Sequence, residues 1–491
     1  TNRPRSPASK PISPVVCGFL EPTGCELMLG CQSGHGSTET RASGYRRALT
    51  ADSGSKREPS GRWGRLGDVD ERRAAGYPFI PTDVVPPIVE RAEGCTLVFS
   101  GGREVIDAGG GAVAVNIGHG RSEVADAMAA GARRVSYAIP PWVTEDRIAL
   151  VELLRDRWLP PELSRVGLVS GGSESVDTAI RLAFTHFGAL GQPDRWKVIG
   201  REVSYHGTTM ASLSVSGHRA RRQGFEGVLT DHPKMPVADA EALEKIIDLE
   251  DPATVAAVIA EPVIGAAAGA LVPPDNWWTD VRAICDNHGI LLIADEVMTG
   301  FGRTGRRFGI NHWGVVPDIL VGGKGLSGGY APLGGVYATE KVVEPIAAAG
   351  GGLMFFTFSA SSGACAAGIA ALGILDDEDL VTASATKGET FLARLRALEA
   401  HQHVSEVRGL GLMLGVELIA DKATGAPYLP DGGMAARVVA EALERGVWVY
   451  PAGDGTAPDA LLIGPPFTIT EEQMDTVVTV VGEAITEVCG D

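Results

Sequence analysis

Residues 290–329 read ILLIADEVMTGFGRTGRRFGINHWGVVPDILVGGKGLSGG, and the fold turns on how this stretch is parsed. Its first apolar run stops at Asp295 and Glu296. The second, DILVGG, stops at Lys324, which stands among Gly322, Gly323, Gly325, Gly328 and Gly329. Apolar runs this short, rich in branched residues and bounded by turn formers, read as buried strands. The same texture recurs outward from Arg165 to Thr339, where VGLVS, KVIG, VAAVIAEP and GGVYAT alternate with longer helical patterns such as Asp280 to Asn287. Short strands separated by helices mark an α/β domain built on a mostly parallel sheet. Beyond Asp377 the pattern shifts to amphipathic helices (Lys387 to Leu398, Met434 to Arg445) and strand-like runs (LMLGVELI, VWVY), an α+β unit with its own core.

At 491 residues the chain has room for two or three structural units, taking roughly 100–200 residues per domain. A formal charge of -18 argues against a basic nucleic-acid surface or a face for anionic membranes, and leaves small molecules as the expected partners. The seven cysteines are scattered, odd in number and form no CxxC pair, which points to reduced thiols in a cytoplasmic protein and away from a metal site. Two stretches imitate membrane signals. PVVCGFL follows Arg3, Arg5 and Lys10, but it is short and crowded by Pro11, Pro14 and Pro22. Residues 346–375 carry no charge, yet their glycines, including Gly350, Gly351, Gly352 and Gly363, are costly in a single helix. Up to about Gly76 the chain is rich in Gly, Ser, Arg and Pro without periodicity, and residues 1–76 are expected to be a disordered leader.

In a parallel sheet, ligands bind at the carboxyl ends of the strands, and glycines let backbone approach them closely. Lys324 has that setting and the chemistry of a nucleophile, although a lysine taken alone is more often a solvated loop residue. A Walker A loop does not fit, because Gly325 follows the lysine where Ser or Thr is required. Asp295 at a strand end needs a cationic partner to offset desolvation, or else caps the turn before Gly300. A pyridinium nitrogen is such a partner, since a lysine-bound pyridoxal phosphate comes with a carboxylate that keeps its ring nitrogen protonated. Glu296 reads as structural. VGLVSGGSESVDTAIRLAF supplies a strand, a glycine turn and a helix start, where Gly172 and Ser173 would sit at an anion. Such junctions are also common without a ligand. Tyr205, in SYHGTT, offers an aromatic face, while a lone Tyr or His206 more often simply packs.

In this order and at these separations, the motifs resemble the class III (omega) aminotransferases of pyridoxal-phosphate fold type I. The resemblance runs from about Pro78 to Val488 through VNIGHG, SGGSES, YHGTT, EPVIGAAAGALVPP, ADEVMTGFGRTG, PDILVGGKGLSGGYAPLGG, TFSASSGACAAG, VRGLGLMLGVEL and LIGPPFTIT. It implies a large cofactor-binding domain over residues 146–377, and a smaller α+β domain assembled from residues 77–145 and 378–491. It also implies pyridoxal 5'-phosphate as cofactor and ping-pong transamination between an amine or omega-amino donor and a keto acid such as pyruvate. Carried onto matching positions, it makes Lys324 the Schiff-base lysine, Asp295 the partner of the pyridine nitrogen, and Tyr205 and Val297 the two faces packing the ring. Gly172 and Ser173 would bind the phosphate, and Glu261 falls at a glutamate near the cofactor. A threonine equivalent to Thr357 reaches the phosphate from the neighbouring subunit in this family, which implies a homodimer with shared sites. An aminomutase, racemase or decarboxylating relative on the same fold is the alternative reading, and a non-catalytic binding module is another from a different class.

Departures from the family pattern concern the turn near the phosphate and the substrate. Ser361 and Ser362 stand where the family usually has Asn-Pro or His-Pro after the threonine motif. Relatives acting on ornithine or 4-aminobutyrate carry a glutamate switch and an arginine where this chain has Ala266 and Leu462. The biotin-pathway relative has an arginine where Tyr450 stands, and Pro451 to Gly464 contains no basic residue where amine–pyruvate relatives place an arginine. Because carboxylate recognition favours arginine's planar fork, the expected donor carries its reacting amine away from a carboxylate, as a diamine does. Arg408 is the candidate for keto-acid binding, in competition with a structural role.

Overall fold

Residues 87–352, 354–428, 433–455 and 457–490 are described in this computed structural model, and the leader expected over residues 1–76 lies outside them. Val89–Glu93 (β1), Thr96–Phe99 (β2) and Arg103–Asp107 (β3) form an antiparallel meander. Seven strands then build the central sheet: Arg165–Val169 (β4), Lys197–Arg201 (β5), Lys234–Met235 (β6), Val255–Ala260 (β7), Leu291–Asp295 (β8), Ile319–Gly322 (β9) and Gly334–Ala338 (β10). Their order is β4-β10-β9-β8-β7-β5-β6. β10 runs antiparallel to both of its neighbours, and the pairings from β9 through β8, β7 and β5 to β6 are parallel. The mostly parallel sheet expected from the apolar runs is therefore present. Every residue of β7, β8, β9 and β10 is buried, which is why these strands read as continuous apolar runs with no alternation.

Helices cover the sheet by presenting an apolar stripe. In Gly172–Ala189 the buried positions Val176, Ala179, Ile180, Ala183 and Phe187 recur at helical spacing, and they join a core cluster with residues of β7, β8 and β9. Trp277–His288 leads into β8 and ends at Gly289, whose φ of 61° gives the left-handed turn that stops a helix.

The last part of the chain contributes Val404–Leu410 (β11), Met413–Leu418 (β12), Val447–Trp448 (β13), Tyr450–Ala452 (β14) and Ala460–Ile463 (β15). Four of these form an antiparallel sheet, β11-β12-β15-β14, whereas β13 pairs in parallel with β3. VWVY is thus not one strand: it changes sheets at Val449, tying the C-terminal part to the N-terminal meander. The expected helices appear as Leu380–Leu395, continued by a tighter turn at Arg396–Ala400, and Met434–Glu444. The charge-free stretch over 346–375 is not one helix: it takes in the end of Glu340–Ala348, non-helical residues after it, and most of Ser362–Asp377. No helix among the described residues is long and apolar enough to cross a membrane.

Candidate active site

The carboxyl ends of five strands of the central sheet converge on one cavity of about 190 Å³. β4 leads to Gly172 and Ser173, β5 to Tyr205 and His206, β7 to Glu261, β8 to Asp295 and Val297, and β9 to Lys324; all of these line the cavity. This is where a parallel sheet binds ligands, because the strand ends diverge there and leave loops free to carry chemistry.

Asp295 is the last residue of β8 and is buried. One carboxylate oxygen accepts the Val297 backbone N–H at 3.1 Å, and the other lies 2.7 Å from Nδ1 of the buried His206. Each oxygen keeps a second acceptor site for a donor in the cavity. The far nitrogen of His206, Nε2, is buried without a partner among the described residues, so the imidazole is held from the Asp295 side and by the Ser216 hydroxyl accepting from its backbone N–H at 2.8 Å. Asp295 thus both caps the start of the turn before Gly300, through the Val297 N–H, and has a buried hydrogen-bonded partner in His206; the Gly300 N–H itself bonds to the Glu296 carbonyl at 2.9 Å.

Lys324 opens a tight turn after β9 with φ of 42°, a left-handed conformation that costs a side-chain-bearing residue roughly 1–2 kcal/mol. None of the ion pairs among the described residues involves it. Burial pushes its pKa down to about 8, with the charge of Arg221 acting in the same direction and that of Asp295 opposing it. An amine in this state is partly neutral near physiological pH, as a nucleophile or a proton acceptor requires.

The cavity wall is close-fitting at two glycines. A Cβ on Gly172 would stand 2.7 Å from Val297 Cγ1, and one on Gly207, where φ is 143°, would stand 2.5 Å from the hydroxyls of Ser173 and Ser212. Gly172 also begins the helix Gly172–Ala189, so its first backbone N–H groups have no intrahelical acceptor and suit an anion. A lysine, a buried carboxylate, an aromatic side chain and a helix start that opens on glycine fit a phosphorylated nitrogen heterocycle such as pyridoxal phosphate.

Two carboxylates are committed to structure around this wall. Glu261 accepts the Tyr205 backbone N–H at 3.2 Å and pairs with the fully buried Arg201 at 3.4 Å; burial raises its pKa. Glu296 accepts the N–H groups of Gly309 and Ile310 at 2.8 and 2.7 Å and the Thr299 hydroxyl, and burial raises its pKa to about 7. The structural reading of Glu296 stands on these bonds.

Thr357 is not brought into this cavity: it is exposed, in the turn before the helix Ser362–Asp377. Arg408 is excluded as a substrate anchor. Its guanidinium pairs with Glu406 and Glu417 and donates to the carbonyls of Ala268 and Gly269, so its fork is saturated inside the protein. His206, passed over in the sequence as a residue that usually just packs, is the direct partner of Asp295. Its position beside Tyr205 in YHG was the available signal.

Comparison with known proteins places this geometry in a family. The family model for class III aminotransferases matches residues 80–485. The uncharacterised aminotransferase YodT of Bacillus subtilis is 33% identical over 423 residues, covering 82% of this chain and 95% of the relative. The diaminobutyrate–2-oxoglutarate transaminase of Halomonas elongata is 34% identical over 437 residues, covering 84% and 92%. Among solved structures, an (S)-enantioselective omega-transaminase from Thermomicrobium roseum superposes with a TM-score of 0.81 at 34% identity, covering 86% of this chain and 98% of that one. A buried lysine and carboxylate at the ends of parallel strands, in a chain that matches this family over nearly all its described length, make the protein a member of the class III aminotransferases, enzymes of fold type I that transfer amino groups with pyridoxal 5'-phosphate.

Proposed function

We propose that Lys324 holds the pyridoxal phosphate covalently and, when released from it, carries a proton between the substrate carbon and the cofactor. The observation that carries this reading is the meeting, in one cavity, of a buried lysine with depressed pKa and a buried carboxylate held by an imidazole. When bound, the cofactor supplies an electron sink for the bond that breaks at the substrate carbon. Asp295 would pair with its ring nitrogen, and His206 keeps that carboxylate in place. Val297 and Tyr205 pack the two faces of the ring, Gly172 and Ser173 receive the phosphate at the helix start, and Glu261 keeps Tyr205 positioned through its backbone N–H.

A homodimer with shared sites is part of the same reading. Trp142 and Phe358 are each 70% exposed and Met354 is 81% exposed, and Tyr137 meets Phe358 edge to face at 6.3 Å. A cluster of large apolar side chains left in water is the mark of a protein interface. Thr357 directly precedes Phe358, and the family resemblance has it reach, in a dimer, the phosphate of the partner's cofactor. A cytoplasmic setting rests on the scattered, odd-numbered cysteines.

The donor proposed is an amine or omega-amino compound and the acceptor a keto acid such as pyruvate. Product analysis with and without pyruvate tests this. Alanine should form in step with loss of donor amine, and only when pyruvate is present. A rearranged, racemised or decarboxylated donor formed without a keto acid would instead favour the aminomutase, racemase or decarboxylase reading.

A further inference from the structure

The keto-acid half of the reaction needs a cation for the substrate carboxylate, and neither the positions compared with relatives nor Arg408 provides one. Arg221, on the single helical turn Arg219–Arg222, stands beside the cavity and behind one of the side chains that line it. Its guanidinium carbon stands 4.0 Å from the ring centroid of Tyr205, a side chain that lines the cavity with Lys324. Nη2 donates to the Tyr450 hydroxyl at 3.2 Å. Among the described residues this is the guanidinium's one hydrogen bond, and no carboxylate lies within ion-pair distance of it, so most of its five N–H donors are uncommitted. The nearby arginines are turned toward partners inside the protein. Arg222 donates to the carbonyls of Leu213, Ser214 and Ser216, Arg201 pairs with Glu261, and Arg303 donates to the carbonyls of Leu412 and Pro465.

Two further observations tie Arg221 to the reacting centre. Its positive charge is one of those that lower the pKa of Lys324, so its field reaches the amine. The turn that carries it is pinned on both sides, by His218 N–H to the Ser204 carbonyl at 2.9 Å and Ala220 N–H to the Asp454 carbonyl at 2.9 Å. A cation stacked on an aromatic face and steadied by one hydroxyl is pre-organised, and it keeps its fork for an anion.

We propose that Arg221 binds the carboxylate of the keto-acid acceptor, with Tyr205 as its platform and Tyr450 as the positioning residue. The inference rests on the proposed roles of Lys324 and Tyr205. It assigns the acceptor a charged acid group where resemblance finds no anchor. A planar carboxylate takes two parallel N–H donors from such a fork, and hydrogen bonds of this charged kind are the strong ones.

The experiment compares two half-reactions: pyruvate with the enzyme in its pyridoxamine phosphate form, and butylamine with the pyridoxal phosphate form. Arg221→Gln should raise KM for pyruvate by roughly ten- to hundredfold, the range expected for loss of charge-assisted hydrogen bonds. Its loss in kcat/KM should be at least about tenfold greater for pyruvate than for butylamine. Arg221→Lys should recover part of the loss, since it keeps the charge without the fork. Tyr450→Phe should shift pyruvate KM the same way by less. Calorimetric titration of the holoenzyme with propionate and with propionamide gives a readout without turnover. The wild type should bind the acid in preference to the amide, and Arg221→Lys should weaken that preference even if the glutamine variant folds poorly. Equal losses for pyruvate and butylamine, or weakened cofactor binding with the pyruvate KM unmoved, would overturn the assignment. If the wild type prefers propionate but does not turn over pyruvate, the carboxylate site stands and the proposed acceptor fails.

Discussion

At the scale of single residues, the chemistry depends on how burial and partners set the states of Lys324 and Asp295. Burial places the Lys324 pKa near 8, below the ordinary lysine value of 10.5, so the neutral amine grows in as pH rises through about 8. Capture of added pyridoxal phosphate by the cofactor-free enzyme should therefore accelerate with pH and reach half its maximum near pH 8. A half-point above pH 10 would mean that the lysine is solvated. Asp295→Asn should retain cofactor yet lose about 10²–10³-fold in turnover, because a neutral amide cannot hold a ring cation in a dry site. Steady-state rates with the same donor and pyruvate check this, and near-normal turnover would remove Asp295 from the site. Both residues were legible in the sequence as polar groups at the ends of apolar runs. The partnership of Asp295 with His206 was not, because 89 positions separate the two and only the parallel pairing of the strands brings them together.

At the scale of elements, the strand, turn and helix over residues 165–189 show how a local pattern becomes a wall. Glycine at position 172 lets the helix start pack against Val297, and a Cβ there would fall 2.7 and 3.1 Å from the two Val297 methyl groups. Gly172→Ala should leave the fold intact, since alanine favours helix, but narrow the cavity and weaken cofactor affinity by about tenfold or more. Equilibrium dialysis with pyridoxal phosphate measures this, and unchanged affinity would show that the glycine serves only the turn. The central strands were legible because full burial writes itself as unbroken apolar runs. The split of VWVY was not, because β13 and β14 are equally apolar and only their partners, β3 and β15, tell them apart. Arg221 was hidden for a related reason. It rides on a short turn without periodicity, in the run RARR, which on sequence is an ordinary charged surface.

At the scale of the whole molecule, the site is assembled from five strand ends within one chain, and Thr357 is the residue left outside. If a second subunit supplies it, a Thr357→Ala chain and a Lys324→Ala chain, each impaired alone, should give mixed dimers in which one of the two sites is whole. Random pairing makes half of the dimers mixed, each with one whole site of two, so activity should rise on mixing toward about a quarter of that of the same amount of wild type, measured after refolding the two variants together. No gain on mixing, with dimers formed, would place Thr357 outside the partner's site. The family was legible from the order and separation of motifs, and the match over residues 80–485 agrees with that reading. Substrate anchoring was less so, because relatives place their arginines on different elements, and a position-by-position search cannot find a cation delivered from elsewhere.

The central claim is that Lys324 is both the covalent holder of the cofactor and the proton carrier. One absorbance measurement on purified protein with pyridoxal phosphate, made on the wild type and on Lys324→Ala, tests it most directly. The wild type should show a near-visible band that donor amine discharges and pyruvate restores. Lys324→Ala should lack the band of the lysine-bound cofactor and lose about 10²–10⁴-fold or more in turnover. A Lys324→Ala protein that keeps both the band and its turnover would contradict the assignment.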